Sequence, residues 1–517
     1  MDIKKIIIVG GGTAGWLAAN HIGKAFEGND TVSISLIESP DIPTIGVGEG
    51  TVPAIRKSLK QFGISESEFI RNCDVTFKQS IKFVNWMDKH RHGEGNFYHH
   101  LFDMPSPLGE DLTEYWLRER SGSYGDPSFG EFYGDLVSPQ HAVCESYKAP
   151  KQITHAEYEG SLGYAYHLNA AKFALLLASN AKTRFNVEHI SANVVDVSLN
   201  ETGHIESLKT DSQGRLYADF YIDCSGFEAL LIDKALKVPF VDKSNELFVD
   251  RAIAVQVPIA EDAPIPPFTI ATAHQAGWIW DIALTNRRGI GFVYSSKYMD
   301  ESAAFKKLEY YLGEDLAQYQ HRVLPMKVGY RKHFFHKNCL SLGLAQGFLE
   351  PLEATSILLT DFAAGYLASR FPTNVNELDL LSAQFNKVMT YAWERVVEFV
   401  KLHYCISDRS DSPFWIDNRD PSTIPPELTK RLTLWQTHIP IREDFFSKFE
   451  VFDLENYLYV LYGMAYGTSL RTGNSADKRQ WMAHSERIKQ VGDALTQELP
   501  QHRQLLDKII RYGLQQT

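Results

Sequence analysis

Apolar positions along this chain follow three different periods. Positions 6–9 are a continuous apolar run that passes straight into a glycine-rich turn, and 14–25 then carry apolar residues at three- and four-residue spacing. A second strand pattern over 31–37 stops at Glu38. This pattern predicts a buried strand, a tight turn, a helix and a second buried strand, a βαβ unit of the length a dinucleotide-binding fold requires. Over 186–223 the period falls to two, with turns at Asn200-Glu201-Thr202-Gly203 and Asp211-Ser212-Gln213-Gly214, which predicts a β-meander. Two strand-to-glycine segments follow, Tyr221-Ile222-Asp223-Cys224-Ser225-Gly226 and Cys339-Leu340-Ser341-Leu342-Gly343. Between them, Gly277-Trp278-Ile279-Trp280-Asp281-Ile282 predicts a strand whose two tryptophans share one face as an aromatic wall. Beyond Ser356 helical spacing dominates, over 357–371 and 374–403. After a loop rich in Asp, Ser and Pro at 407–426 it resumes near 445 and over 485–512. The stretch 501–514 carries both charges on its polar face and reads as a docked surface helix rather than a membrane binder.

The chain is 517 residues long, enough for a large core and more than one domain. A net charge of −12 argues against a nucleic-acid partner. No apolar run approaches a membrane span, and the run at 6–9 is too short for a signal-peptide core, so a cytoplasmic protein is expected. Cys73, Cys144, Cys224, Cys339 and Cys405 are scattered without a CxxC, which argues against a disulfide framework or thiolate zinc site. His90, His92, His99 and His100 cluster, but no carboxylate or thiolate pattern completes a metal site, and none is expected.

The turn Gly10-Gly11-Gly12-Thr13-Ala14-Gly15 is a strong fingerprint because a strand precedes it, a helix follows and an acid closes the next strand. Gly10 permits the turn, Gly12 lets backbone approach a pyrophosphate, and Gly15 lets helix and strand pack closely. Thr13 and Ala14 open the helix, whose N-terminus favours phosphate charge. Glu38 is placed to accept hydrogen bonds from ribose hydroxyls.

Together with Trp278-Ile279-Trp280, Phe77-Lys78 and Pro351-Leu352-Glu353-Ala354-Thr355, this fingerprint resembles the flavin-dependent tryptophan halogenase family, whose signature is WxWxIP; Ala283 stands at the proline. The resemblance implies an α/β flavoprotein: an FAD-binding box of the two-dinucleotide-fold type with a mainly helical substrate module. The expected division is 1–80 and 161–360 for the flavin module, 81–160 and 361–517 for the substrate module. It implies that Lys78 presents a halogen from hypohalous acid, either by hydrogen bonding or as a haloamine. Glu353 (Glu350 being the alternative) acts with Lys78, with the halogenating species or on the ring intermediate and its proton. The amides of Thr355 and Ser356 hold the halide, with Ser356 in place of a glycine. Residues 45–53, including Gly48 and Glu49, resemble the strap that flanks the flavin. Gly343 belongs to a further FAD element, where Leu344 replaces the usual acid. His100 and Phe102 match the pair that sandwiches the indole ring.

The implied cofactors are FAD, reduced by a separate reductase, and chloride or bromide; a homodimer is common in such families. Two alternatives remain at this point, an aromatic monooxygenase of the same fold and a non-catalytic flavin-binding protein. Family members that take free tryptophan clamp its amino and carboxylate groups with polar residues that include a tyrosine pair. Here Tyr457 matches one partner and the apolar Leu458 stands at the other, which points to indole or a larger indole-bearing compound.

Overall fold

The computed structural model describes residues 2–42, 48–109, 111–120, 132–470 and 478–515. The chain divides into two compact units, Met1–Val75, Leu168–Ser244 and Met326–Glu394 against Thr76–His167, Asn245–Pro325 and Arg395–Thr517. This grouping differs from the expected one: 245–325 sits with the second unit because its strands join a sheet with strands of the 76–101 region.

The first unit is built on a parallel sheet. The strand Lys5–Val9 lies between Ser33–Glu38 and Phe220–Asp223, with Glu188–Ser191 and Cys339–Ser341 outside them and the short antiparallel Phe335–His336 at one edge. The strand Lys5–Val9 is buried at every position after Lys5, as its unbroken apolar run requires. Helix Thr13–Ala25 packs on helices Ala170–Phe185 and Thr355–Ser369. A bond of 2.7 Å from His21 Nε2 to Asp361, with Ser58 on that carboxylate's other oxygen, ties the first helix to the third. The expected meander is only partly present. Val194–Leu199, Ile205–Thr210 and Arg215–Tyr217 form an antiparallel trio, whereas the segments before and after it pair in the parallel sheet. Alternation alone does not distinguish an edge strand of one sheet from a strand of the next.

The second unit centres on a seven-stranded sheet. Its order is His321–Pro325, Arg251–Pro258, Arg287–Tyr294, Gly277–Ala283, Phe268–His274, Ser80–Val84 and Phe97–Leu101. Registers Trp280↔Ala271, Ala271↔Phe83 and Phe83↔Tyr98 put Trp278, Trp280, Phe83, Tyr98 and His100 on one face. Lys82, His99, Thr272 and Asp281 occupy the other. The two tryptophans are buried, with ring centroids 6.4 Å apart. Trp280 lies across Gly291, where a β-carbon would come within 2.0 Å of the indole, so this strand position admits glycine alone.

The expected loop at 407–426 holds a short helix, Pro413–Asp417, and a single 3₁₀ turn, Pro421–Thr423. Proline at the first helical position starts both, which a composition-based loop assignment overlooks. The C-terminal helical pattern breaks at Pro500 into Lys478–Glu498 and His502–Tyr512, the latter docked through His502, Leu505, Leu506 and Ile509. Among the described residues no helix is long and apolar enough to cross a membrane.

Candidate active site

The carboxyl ends of the parallel strands in the first unit collect the dinucleotide residues. Gly10 donates its N–H to Ile37 O at 2.8 Å and Cys224 donates to Val9 O at 2.8 Å, so the glycine turn, Glu38 and the 223–226 segment meet at one edge. Gly10 has φ +115, and a β-carbon there would lie 2.1 Å from Cys224 O. Gly343, at φ +60, brings its own strand end so close to the first helix that a β-carbon would be 2.6 Å from Ala14 Cβ.

Helix Thr13–Ala25 starts at Gly12 without a side-chain cap, and nothing lies within 4 Å of the space a β-carbon of Gly12 would fill. The first N–H groups of Thr13, Ala14 and Gly15 thus head an open cradle, the form a pyrophosphate needs. Glu38 ends its strand beside this cradle, and its Oε2 is 2.9 Å from His189 Nε2. The residues present fit an FAD pyrophosphate. Of the expected strap, 45–47 lie outside the described residues. Gly48 and Glu49 form part of a short strand, Gly48–Gly50, and loss of water around the Glu49 carboxyl pushes its pKa up to about 7.

Glu350 and Glu353 are both buried rather than on the surface. They precede Ala354, which takes the left-handed conformation at φ 55 and sits at the head of helix Thr355–Ser369 with no side-chain cap. Alanine there costs about 1–2 kcal/mol relative to a right-handed conformation, so the turn is held by its surroundings. Ser356 lies within the right-handed helix, so serine carries no backbone penalty where the family has glycine. Thr355 and Ser356 line a cavity of about 10 Å³ with Gly343, Gly347, Phe348 and Trp393. That volume admits about one water-sized particle. Uncapped N–H groups at a helix start beside so small a space suit a single anion.

In the second unit Lys78 is 1% exposed at the end of strand Thr76–Lys78. A buried ammonium loses hydration, and Lys78 is enclosed rather than snorkelling to the surface. The ladder Ser80↔Leu101 continues one step further, with Phe102 N–H donating to Gln79 O at 3.1 Å. That step places the Phe102 ring centroid 5.4 Å from Lys78 Nζ. His100, two residues earlier on the same face, is 3% exposed. Its Nε2 is 2.9 Å from Asn456 Oδ1, and its ring lies 5.7 Å from Phe399.

Tyr457 is placed differently from Lys78, His100 and Phe102. It is enclosed by Phe399, Trp435 and Phe445, and its hydroxyl accepts from Arg431 Nη1 at 3.2 Å. Leu458 beside it is buried. The histidine cluster disperses: His92 meets Asp408, His99 meets Ser80 and Glu145, and His100 meets Asn456. Among the described residues no group of three or more His, Cys, Asp or Glu is arranged to hold a metal ion.

A sequence profile of the tryptophan halogenase family matches residues 5–475. The tryptophan 6-halogenase of Streptomyces toxytricini is 34% identical over 473 residues, 89% of each chain. The tryptophan 7-halogenase of Lentzea aerocolonigenes is 36% identical, over 81% of this chain and 79% of its own. The chain belongs to the tryptophan halogenase family. The fold agrees: a tryptophan halogenase from Shewanella frigidimarina superposes with a TM-score of 0.94 at 37% identity, covering 100% of this chain and 99% of its own. A flavin-dependent halogenase from Brevundimonas gives 0.87 at 30% identity, covering 98% and 99%. Family membership makes the chain an enzyme of the flavin-dependent halogenase type, with the α/β flavoprotein fold, in place of a monooxygenase or a non-catalytic flavin protein.

Reading the sequence missed Asn456 and Gln140. Gln140 Oε1 accepts the N–H of Phe102 at 3.1 Å and of Asp103 at 2.8 Å, and so fixes the backbone that carries the Phe102 ring. No local motif marks either residue; their partners lie far away in the chain.

Three fully buried histidines of the second unit give a pH dependence. Burial lowers the pKa of His99 and of His502 from 6.5 to about 4, and lowers His167 well below its ordinary value, with Lys78 and His502 adding to the last. The folded protein keeps them neutral where the unfolded chain takes up protons, so their contribution is full above pH 6.5 and is lost as pH falls toward 4. The slope reaches about 1.4 kcal/mol per pH unit for each histidine. Urea midpoints are expected to fall steadily below pH 6.5; midpoints constant down to pH 5 would refute this.

Proposed function

We propose that this enzyme halogenates an indole-type aromatic with chloride or bromide and O2, using FAD reduced by a separate reductase. The observation that carries the reading is the buried Lys78 ammonium beside the Phe102 ring, with His100 two residues before Phe102. When bound, reduced flavin with O2 supplies the oxidising equivalents that turn halide into hypohalous acid. The glycine turn and the start of helix Thr13–Ala25 hold the pyrophosphate. Glu38 takes the ribose, and Gly48, Glu49 and Gly343 flank the rest of the cofactor. The Thr355 and Ser356 amides hold the halide.

Lys78 donates a hydrogen bond to the oxygen of hypohalous acid and polarises its halogen. The ring carbon takes the halogen, the oxygen leaves as water, and the ring gives up one proton. His100 and Phe102 fix the ring plane so that one edge receives the halogen. We assign Glu353 to this halogenating step as its buried carboxylate. All five cysteines are free thiols, which supports a reducing, cytoplasmic setting.

Omission experiments test the reading. Starting from oxidised FAD, halogenated product requires NADH, a flavin reductase, O2 and halide together. Rapid NADH oxidation by the purified chain alone would overturn the two-protein arrangement. The Tyr457 geometry supports indole over free tryptophan as the substrate. With that hydroxyl engaged by Arg431 and Leu458 apolar, no tyrosine pair clamps an amino-acid carboxylate at these positions. We expect kcat/KM for indole to exceed that for tryptophan under the same halide; the reverse order would refute this assignment and leave the halogenase reading intact.

A further inference from the structure

The strand Thr76–Lys78 has only three residues, and two of them are tied to distant parts of the second unit. Phe77 donates its backbone N–H to His502 Nε2 at 2.9 Å, and His502 Nδ1 lies 3.0 Å from Ile265 O. A carbonyl only accepts, so Nδ1 carries the hydrogen and Nε2 is left as the acceptor that Phe77 needs. On the other side Thr76 Oγ1 is 2.7 Å from Ala283 O and 3.4 Å from His167 Nδ1, while His167 Nε2 is 2.8 Å from Thr269 Oγ1. The same bookkeeping orders this chain: Thr269 donates to His167, His167 to Thr76, and Thr76 to Ala283. Every hydrogen is used once.

Ala283 ends the segment that carries Trp278 and Trp280. Leu284 N–H bonds to Arg287 O, so the Ala283–Arg288 pair is a non-hydrogen-bonded one, and the Ala283 carbonyl points off that ladder toward Thr76. The aromatic strand thereby braces the lysine strand through its last carbonyl, a contact that proline at this position would keep.

We infer that His502 and Thr76 are positioning residues for Lys78, which fix the lysine's backbone through Phe77 N–H on one side and the Ala283 carbonyl on the other. The inference rests on the reading of Lys78 as the group that presents the halogen. A lysine on a flexible four-carbon stem delivers its charge accurately only if its own Cα is held. A displacement of about 1 Å at a reacting centre costs about a hundredfold in rate. His502 opens the C-terminal helix, whose first N–H bonds to Tyr147 O at 3.0 Å, so this terminal helix has a part in the chemistry as well as in packing.

The test compares His502→Leu, His502→Gln, Thr76→Val and Lys78→Ala, reading halogenated indole formed per reduced FAD oxidised, together with FAD affinity. His502→Leu is expected to lower product per flavin by roughly tenfold or more while FAD affinity and flavin oxidation are retained. His502→Gln, whose amide both donates and accepts, restores most of it. A His502→Leu yield within about twofold of the unaltered enzyme, or a folded His502→Gln no better than His502→Leu, overturns the inference. If His502→Leu does not fold, Thr76→Val carries the test: a yield down roughly fivefold supports the inference, and one within about twofold overturns it. Lys78→Ala separates the two levels. Retained halogenation in that variant removes the role of Lys78 itself, whereas loss there with full yield in His502→Leu removes only the positioning.

Discussion

Lys78→Ala abolishes halogenation and leaves FAD binding near its original affinity. Lys78 belongs to the second unit, while the glycine turn, Glu38 and Gly343 belong to the first, so the substitution removes no group assigned to the cofactor. What it removes is a buried ammonium 5.4 Å from an aromatic centroid. The variant's melting temperature and its retained FAD affinity are the control for folding. With both retained, its loss of activity reports chemistry rather than unfolding. Without a donor the halogen is not polarised, and the reduced flavin is consumed without halogenated product. The measurement is product by mass spectrometry alongside a flavin titration. Halogenation that persists at more than a small fraction of the original rate would remove Lys78 from the mechanism.

Glu353→Gln lowers turnover by roughly two to four orders of magnitude, the usual size of a lost acid–base or charge-stabilising group, with little change in stability. Glu350→Gln does much less. Both side chains are buried to a similar degree, so burial does not separate them. Position does: Glu353 adjoins Ala354, whose left-handed backbone turns the chain into the helix that carries Thr355 and Ser356, and Glu350 lies outside that turn. Glutamine keeps the volume and much of the hydrogen bonding, so the variants differ from the parent mainly in charge. Kinetics with both substitutions under the same halide, with melting temperatures as control, decides. An exchange of the two effects would move the assignment to Glu350.

The features legible in the sequence are those whose chemistry is local. Gly10, Gly12 and Gly15 work within one turn, and the strand before and the acid after them are read from the same short stretch. The tryptophans at 278 and 280 fall on one face because a strand has period two. The surroundings of the lysine are another matter. His100 is oriented by Asn456, 356 residues away, and Phe77 is held by His502, 425 residues away. Neither residue belongs to a motif, and both exist as partners only once the chain is folded. Ser356 shows a related limit. The serine stands where the family has a glycine, a residue valued for backbone freedom, but the left-handed residue of that turn is Ala354, two positions earlier. Identity at a motif position does not reveal which residue bears the unusual torsion. The module boundaries shifted for a similar reason: period two marks the strand at 277–282, but only pairing through Phe268–His274 to Ser80–Val84 decides which sheet it joins.

The most direct test of the account is a single turnover. FAD is reduced chemically, freed of reductase, bound to the enzyme and mixed with O2, indole and bromide, and the products are read by mass spectrometry. The account predicts brominated indole in an amount limited by the reduced FAD, chlorinated or no halogenated product when bromide is replaced by chloride or left out, and no brominated product from Lys78→Ala. Hydroxylated indole formed equally with and without halide would contradict it.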